Sequence, residues 1–233
     1  MPNMIDEKLV GQYSGPGADS YDRQREQTPR FKAEEQAFAR LFGKVMPDWV
    51  VDCPVGTGRW LESYRLVSGR VTGIDASSAM LAQAKVKYGV ARVEIALVEG
   101  SVFDATLFEA LRRPGRGLVV CIRFMNWIPM TQVGEALRAL SGCSPASMIV
   151  GASVRPVEWG SLKQVRAKAA LARLNVVARL KRMSLPRVHD ERQLLGEFAR
   201  IGLRVREREH IFEDSARVNY FYRLELDRGT AGT

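Results

Sequence analysis

The chain is poor in the residues that build metal centres and covalent staples. Among 233 residues there are three cysteines (Cys53, Cys121 and Cys143) and two histidines (His189 and His210). An odd number of cysteines without paired spacing argues against a disulfide framework and against a zinc-ligand set. Two histidines are too few for a His-rich centre, so no metal is expected. Long apolar runs are missing too: no stretch approaches the roughly 20 residues needed to span a bilayer. Residues 1–7 have neither a basic start nor an apolar core, so no signal peptide is expected. The expectation is a soluble cytoplasmic chain, long enough to bury its core in one α/β unit.

What is present is a glycine turn and an acid at a telling interval. Residues 50–60 read Val-Val-Asp-Cys-Pro-Val-Gly-Thr-Gly-Arg-Trp, and residues 71–75 read Val-Thr-Gly-Ile-Asp. Val50 and Val51 end a buried strand. Gly56 and Gly58 form a tight turn whose backbone N–H groups can approach a ligand with no Cβ in the way. Asp75, at the tip of a second strand, is placed to accept hydrogen bonds from ribose hydroxyls. The structural alternatives are a plain glycine cap for the turn and a helix N-terminal acid for Asp75. The interval between turn and acid favours nucleoside binding over both. A dinucleotide fingerprint needs a third glycine three residues beyond Gly58, and Leu61 stands there instead.

The segment Asp52-Cys53-Pro54-Val55-Gly56-Thr57-Gly58 resembles motif I of the class I S-adenosylmethionine-dependent methyltransferases, Asp-x-Gly-x-Gly-x-Gly, with Pro54 in place of the first glycine. The stretch Gly73-Ile74-Asp75-Ala76-Ser77-Ser78-Ala79-Met80-Leu81 is similar to the same family's Gly-x-Asp-x-Ser-x-x-Met-Leu. The resemblance implies S-adenosylmethionine as cofactor and a Rossmann-like α/β fold. That fold has a seven-stranded sheet, parallel in all strands but one, with a C-terminal antiparallel hairpin and helices on both faces.

The pattern along the chain agrees. Residues 1–27 are polar, with Gly11, Gly15, Pro16 and Gly17, and read as a flexible arm ahead of a single domain over 28–233. Thr28 is an N-cap with Pro29 at the first helical position, and Pro47 ends that helix. Further helices are predicted over 59–67, 77–88 (closed by Gly89), 131–141 and 191–201. Strands are predicted over 71–74, 91–98, 117–124 and 147–154. Residues 91–98 alternate as at a sheet edge, and 117–124 are near-continuously apolar as at a sheet centre. Two last strands, 203–212 and 216–226, are joined so closely that they must pair antiparallel.

Between them, residues 155–188 hold nine basic residues against Glu158 alone, a net of +8 in a chain of +9. Leu162, Val165, Ala169, Ala172, Val176, Leu180 and Met183 recur there at helical spacing, forming one apolar seam. The segment is either a basic lid over the substrate opening or a helix packed by that seam with its arginines in solvent.

The resemblance also assigns site residues. Asp52, Gly56 and Gly58 hold the methionine end of the donor, and Asp75 the ribose. Ser101 and Val102, in the motif III position, face the adenine. Asp104 takes that role or caps the helix that follows. Tyr21, in Tyr21-Asp22-x-x-Arg25, resembles an arm residue that closes over the cofactor. Arg123, Asn126 and Trp127, in the motif IV position, line the acceptor pocket. Neither the amide-methylating Asn/Asp-Pro-Pro-Tyr signature nor the metal-dependent aspartate is present there. His189 is the candidate general base, its alternative being a helix-entry residue, and His210 is structural. The resulting expectation is O-methylation of a small or glycan-linked, possibly lipid-linked and anionic, acceptor. Two rivals stand beside it. One is an RNA methyltransferase, since arginine-rich helices also grip phosphates, although aromatics do not interleave the basic stretch. The other is a non-catalytic cofactor-binding scaffold.

Overall fold

The computed structural model describes residues 28–67, 69–180 and 185–227. Residues 1–27, with Tyr21, and the stretch 181–184 lie outside the described residues. Helix α1 (Pro29–Val45) begins where Thr28 Oγ1 accepts the Phe31 N–H at 3.2 Å, and ends at Met46, whose left-handed backbone (φ 43°) turns the chain into β1 (Trp49–Asp52). The chain continues through α2 (Leu61–Tyr64), β2 (Val71–Asp75), α3 (Ser78–Ala91), β3 (Ile95–Glu99), α4 (Ala105–Ala110) and β4 (Gly117–Cys121). A 3₁₀ turn (Met125–Trp127), α5 (Met130–Ser141), β5 (Ser147–Arg155), α6 (Ser161–Leu180), β6 (His189–Asp190), α7 (Glu191–Arg200), β7 (Leu203–Glu213) and β8 (Val218–Leu226) complete it.

The described strands form one eight-stranded sheet in the order β3-β2-β1-β4-β5-β8-β7, with two-residue β6 beside the end of β5. Only β8 runs against the rest, because it pairs antiparallel with both β5 and β7. Central strands β1 and β4 are buried at every position. Both of their faces are covered, which is why they read as unbroken apolar runs. Alternate side chains divide the core between two layers. Trp49, Val51, Val119 and Cys121 pack with α4, α5 and α7, whereas Val50, Leu118 and Val120 pack with α1, α2 and α3.

Several boundaries differ from the sequence expectation. The helix expected over 59–67 shrinks to α2, because the turn runs on through Trp60, whose ring stacks on Phe38 at 4.2 Å. Gly89 lies inside α3, which closes instead at Arg92 (φ 55°), whose N–H bonds to the Gly89 and Tyr88 carbonyls. The third strand therefore starts at Ile95. The described side chains of the α6 seam do not pack: Leu162, Val165 and Val176 are 64%, 62% and 57% exposed, and Ala169 and Ala172 are exposed as well. Among its described side chains the buried ones are Ala167 and Ala178, on the opposite side. Small alanines allow close approach to the body, and periodicity alone does not say which of two apolar stripes turns inward.

Candidate functional site

Strand β1 lies between β2 and β4, so the sheet is built outward in both directions from it and leaves a crevice at the carboxyl ends of the strands. The glycine turn sits there. Gly56 (φ 55°) and Gly58 (φ 78°) both adopt the left-handed backbone that glycine tolerates best, and Pro54 follows a cis peptide bond. A Cβ on Gly58 would strike the Tyr88 ring at 2.5 Å, so packing alone requires that glycine. A Cβ on Gly56 would meet nothing within 4 Å; the space beside its backbone is open.

Asp75 ties the turn to β2. Its Oδ2 accepts the Gly56 N–H and its Oδ1 the Ser77 N–H, each at 2.9 Å. Burial pushes its carboxyl up, and these N–H groups, with that of Ala76, pull it back part of the way. Asp52 is deeper, 1% exposed, and takes a 2.6 Å hydrogen bond from the Tyr64 hydroxyl on Oδ2. Burial raises Asp52 to about 8 against the opposing effect of that bond, leaving it largely protonated at neutral pH. The Gly100 N–H donates to the Asp75 carbonyl at 3.1 Å, which brings Ser101 and buried Val102 to the same edge. Ser101 Oγ accepts the Phe103 N–H at 3.2 Å. Asp104 caps α4, its Oδ1 accepting the Leu107 N–H at 3.0 Å.

A cavity of about 310 Å³ opens beyond the end of β4 and over the second half of β5, walled by the start of α1, the 3₁₀ turn, β5 and β8. Arg123, Asn126 and Trp127 all line it. Asn126 has both amide donors committed: its Nδ2 donates to the Ser153 and Arg187 carbonyls (3.0 and 2.7 Å), and its Oδ1 accepts the Ser153 N–H at 2.8 Å. It clamps the turn onto β5. Arg123 has a left-handed backbone (φ 65°), an uncommon state for a residue with a side chain, and such states cluster at functional sites.

The side chain of Arg123 reaches Glu34, which is 2% exposed on the buried stripe of α1. Arg123 Nε and Nη2 lie 3.0 and 2.5 Å from Glu34 Oε2; Arg59 Nη1 bonds the same oxygen, and Arg30 Nε bonds Oε1 at 3.0 Å. Three guanidinium groups thus share one carboxylate. Burial would push Glu34 up, but Arg123 and Arg59 beside it hold it below its ordinary value. Burial and the neighbouring Arg123 lower Arg59 to about 10, still protonated at neutral pH. Arg59 follows Gly58 directly, so the cluster joins the glycine turn to the cavity. Two donors here lack partners among the described residues: Arg59 Nε, and the buried Nδ2 of Asn219, a cavity-lining residue.

His189 stands apart. It is 5% exposed, its Nε2 is 2.7 Å from the Met125 carbonyl, and it is not among the residues lining the cavity. Burial lowers its pKa, as do Arg187 and Arg155, against the bond to Met125, so it is a neutral imidazole donating through Nε2. His210 is exposed on β7, edge-on to Tyr220. Among the described residues no cluster of three His, Cys, Asp or Glu could hold a metal, and no helix is long and apolar enough to cross a membrane.

Residues 50–143 match the model of a methyltransferase domain. The fold is shared with magnesium protoporphyrin IX methyltransferase from Synechocystis PCC 6803, crystallised with S-adenosylhomocysteine (TM-score 0.70, 12% identity, 95% of this chain and 99% of that one). It is also shared with an S-adenosylmethionine-dependent methyltransferase of Leishmania major (0.65, 12%, 95% and 83%). A third neighbour is N,N-8-amino-8-demethyl-D-riboflavin dimethyltransferase from Streptomyces davawensis (0.63, 15%, 94% and 62%). No curated protein sequence matches the chain. Residues 50–143 thus carry a methyltransferase domain, in a fold shared with S-adenosylmethionine-dependent methyltransferases. Its residues fit that donor, with open space beside the Gly56 backbone and a carboxylate at the tip of β2.

Proposed function

We propose that the chain methylates a hydroxyl oxygen of a small acceptor that carries an anionic group, such as an acidic or phosphorylated sugar, free or linked to a lipid. The observation that carries this reading is the cavity linked to the glycine turn by the Glu34 cluster, with Arg30, Arg123 and Glu34 in its wall beside Arg217, which pairs with Asp214 at 3.3 Å. Cations outnumber acids in a partly desolvated space, where attraction is screened far less than at the surface. The volume suits a small molecule, and two of the structural neighbours are named for small-molecule acceptors, a porphyrin and a riboflavin derivative.

When bound, S-adenosylmethionine supplies an electrophilic methyl on a sulfonium. The work left to the chain is alignment. In this reading Gly56 and Asp75 fix the donor, while Arg30, Arg123 and Arg217 anchor the acceptor by its anion. The cavity walls exclude water from the line of attack, and alignment of this kind is worth several kcal/mol of barrier. Ser101 and Val102 complete the adenine side, Asp52 supports the turn from below, and Tyr21 belongs to the arm ahead of α1. His189 can accept a proton only through Nδ1, because Nε2 is committed to Met125. We therefore give it a positioning role, holding the 3₁₀ turn that carries Asn126 and Trp127.

The test is to supply purified protein and S-adenosylmethionine with pools of acidic and phosphorylated sugars, their neutral counterparts, and RNA, and to measure the S-adenosylhomocysteine formed. Turnover should be confined to the anionic small-molecule pools. Turnover of RNA at submicromolar concentration would transfer the assignment to a nucleic-acid methyltransferase.

A further inference from the structure

Helix α6 presents to solvent a face that the methyltransferase reading does not use. Among the described residues, none of α6 lines the cavity. At about 100° per residue, Leu162, Val165, Ala169, Ala172 and Val176 fall within an arc of about 80°, opposite buried Ala167 and Ala178. Arg166 and Arg173 border this stripe on one side and Lys168 on the other, all three exposed. The helix contains no acidic residue. Among the described residues its polar attachments lie at its N-terminal end, where Lys163 pairs with Glu213 at 2.6 Å and Gln164 bonds the Pro156 carbonyl.

The contrast with the other exposed cations is informative. Arg40, Lys44, Arg204 and Arg206 each pair with a carboxylate, whereas among the described residues no acid pairs with Arg166, Lys168 or Arg173. Helix α6 as a whole is not strongly amphipathic, with Leu174 exposed on its other side. Its outer face alone, an apolar stripe bordered by cations without an acid partner among the described residues, suits a membrane interface, with apolar residues at the acyl boundary and cations at anionic headgroups. Long basic side chains suit this, since their stems bury while the charge stays wet. Pairing with a second copy would bring two acid-free basic faces together. A protein partner would ordinarily be met by aromatic anchors, not by Leu, Val and Ala.

We infer that the outer face of α6 docks the enzyme on an anionic lipid bilayer, lying on the surface without spanning it. This stands apart from the acceptor reading: it concerns where the enzyme works, whatever it methylates. The probe is co-sedimentation of the full chain with phosphatidylcholine vesicles, and with vesicles of phosphatidylcholine and phosphatidylglycerol in equal parts. Binding should require the anionic lipid and weaken in 1 M salt, where the Debye length falls to about 3 Å. Arg166→Gln with Arg173→Gln should lower partitioning roughly thirtyfold, at about fivefold for each cation near the surface. Leu162→Ser with Val176→Ser should lower it at least about tenfold. S-adenosylmethionine binding should be unchanged in both pairs, which shows that they fold. A chain that stays in the supernatant with both vesicle types overturns the inference. So does equal binding by the Leu162/Val176 pair, or a dimer in sedimentation equilibrium that the same pair dissociates.

Discussion

Around Glu34, three guanidinium groups converge on a carboxylate that is 2% exposed, whereas along α6 three cations stand in solvent with no acid among the described residues. By sequence the second region dominates: residues 155–188 hold almost the whole net charge. By structure the first borders the cavity and the cofactor turn. Net charge measures how many cations a segment holds, and burial determines what each is worth. A screened surface guanidinium attracts over a short range and weakly, but one held in a desolvated cluster has few partners and strong preferences. The two regions should therefore answer mutation differently.

The largest difference is expected in stability. Glu34→Gln leaves Arg30, Arg59 and Arg123 without their shared carboxylate, and breaking a buried ion pair from one side costs about 3–5 kcal/mol. Arg166→Gln and Arg173→Gln remove only exposed charge and should fall within about 0.5 kcal/mol of the parent. Urea unfolding of the variants decides the point. Equal losses at the two sites would mean that the Glu34 cluster is solvated in solution.

A smaller effect sharpens the comparison by pH. Asp52 is buried like Glu34 but lacks a cation, so its carboxyl is raised where Glu34 is lowered. The folded state holds on to the Asp52 proton, whereas the unfolded chain releases it near pH 4. The stability from this group is therefore full below about pH 4 and is lost as pH rises through about 8. The difference in unfolding free energy between parent and Asp52→Asn should shift in favour of the variant across that window. A difference that stays flat from pH 5 to 9 would place a cation or water beside Asp52.

How far the sequence foretold the molecule follows from which signals are local. The succession of strands and helices and the antiparallel C-terminal hairpin were legible, because glycine turns, apolar runs and a close hairpin are written in neighbouring residues; the order of the strands in the sheet was not read. Asp75 was legible for the same reason, as a fixed interval from Gly58. The Glu34 cluster was not, since its partners lie 4, 25 and 89 residues away. One clue was nonetheless on the page: Glu34 falls in register with Phe31, Phe38 and Leu41 on the apolar stripe of α1, where an acid must find a partner. Asn126 and His189 show the reverse case. Polar residues next to a site by position turn out to be engaged with backbone, because a 3₁₀ turn inside the fold must satisfy its own polar groups first.

On the proposed reading the half-buried arginines of the cavity wall, not those of α6, recognise the acceptor's anion. That recognition is tested most directly by steady-state kinetics of Arg123→Gln and Arg173→Gln with the acceptor that the pool screen identifies. A hydrogen bond to a charged group is worth about 1.5–3 kcal/mol. Arg123→Gln should therefore raise the acceptor KM roughly 10- to 100-fold while the S-adenosylmethionine Kd stays within twofold or so, and Arg173→Gln should leave both unchanged. An unaltered KM in Arg123→Gln, or a rise as large in Arg173→Gln, would contradict the account.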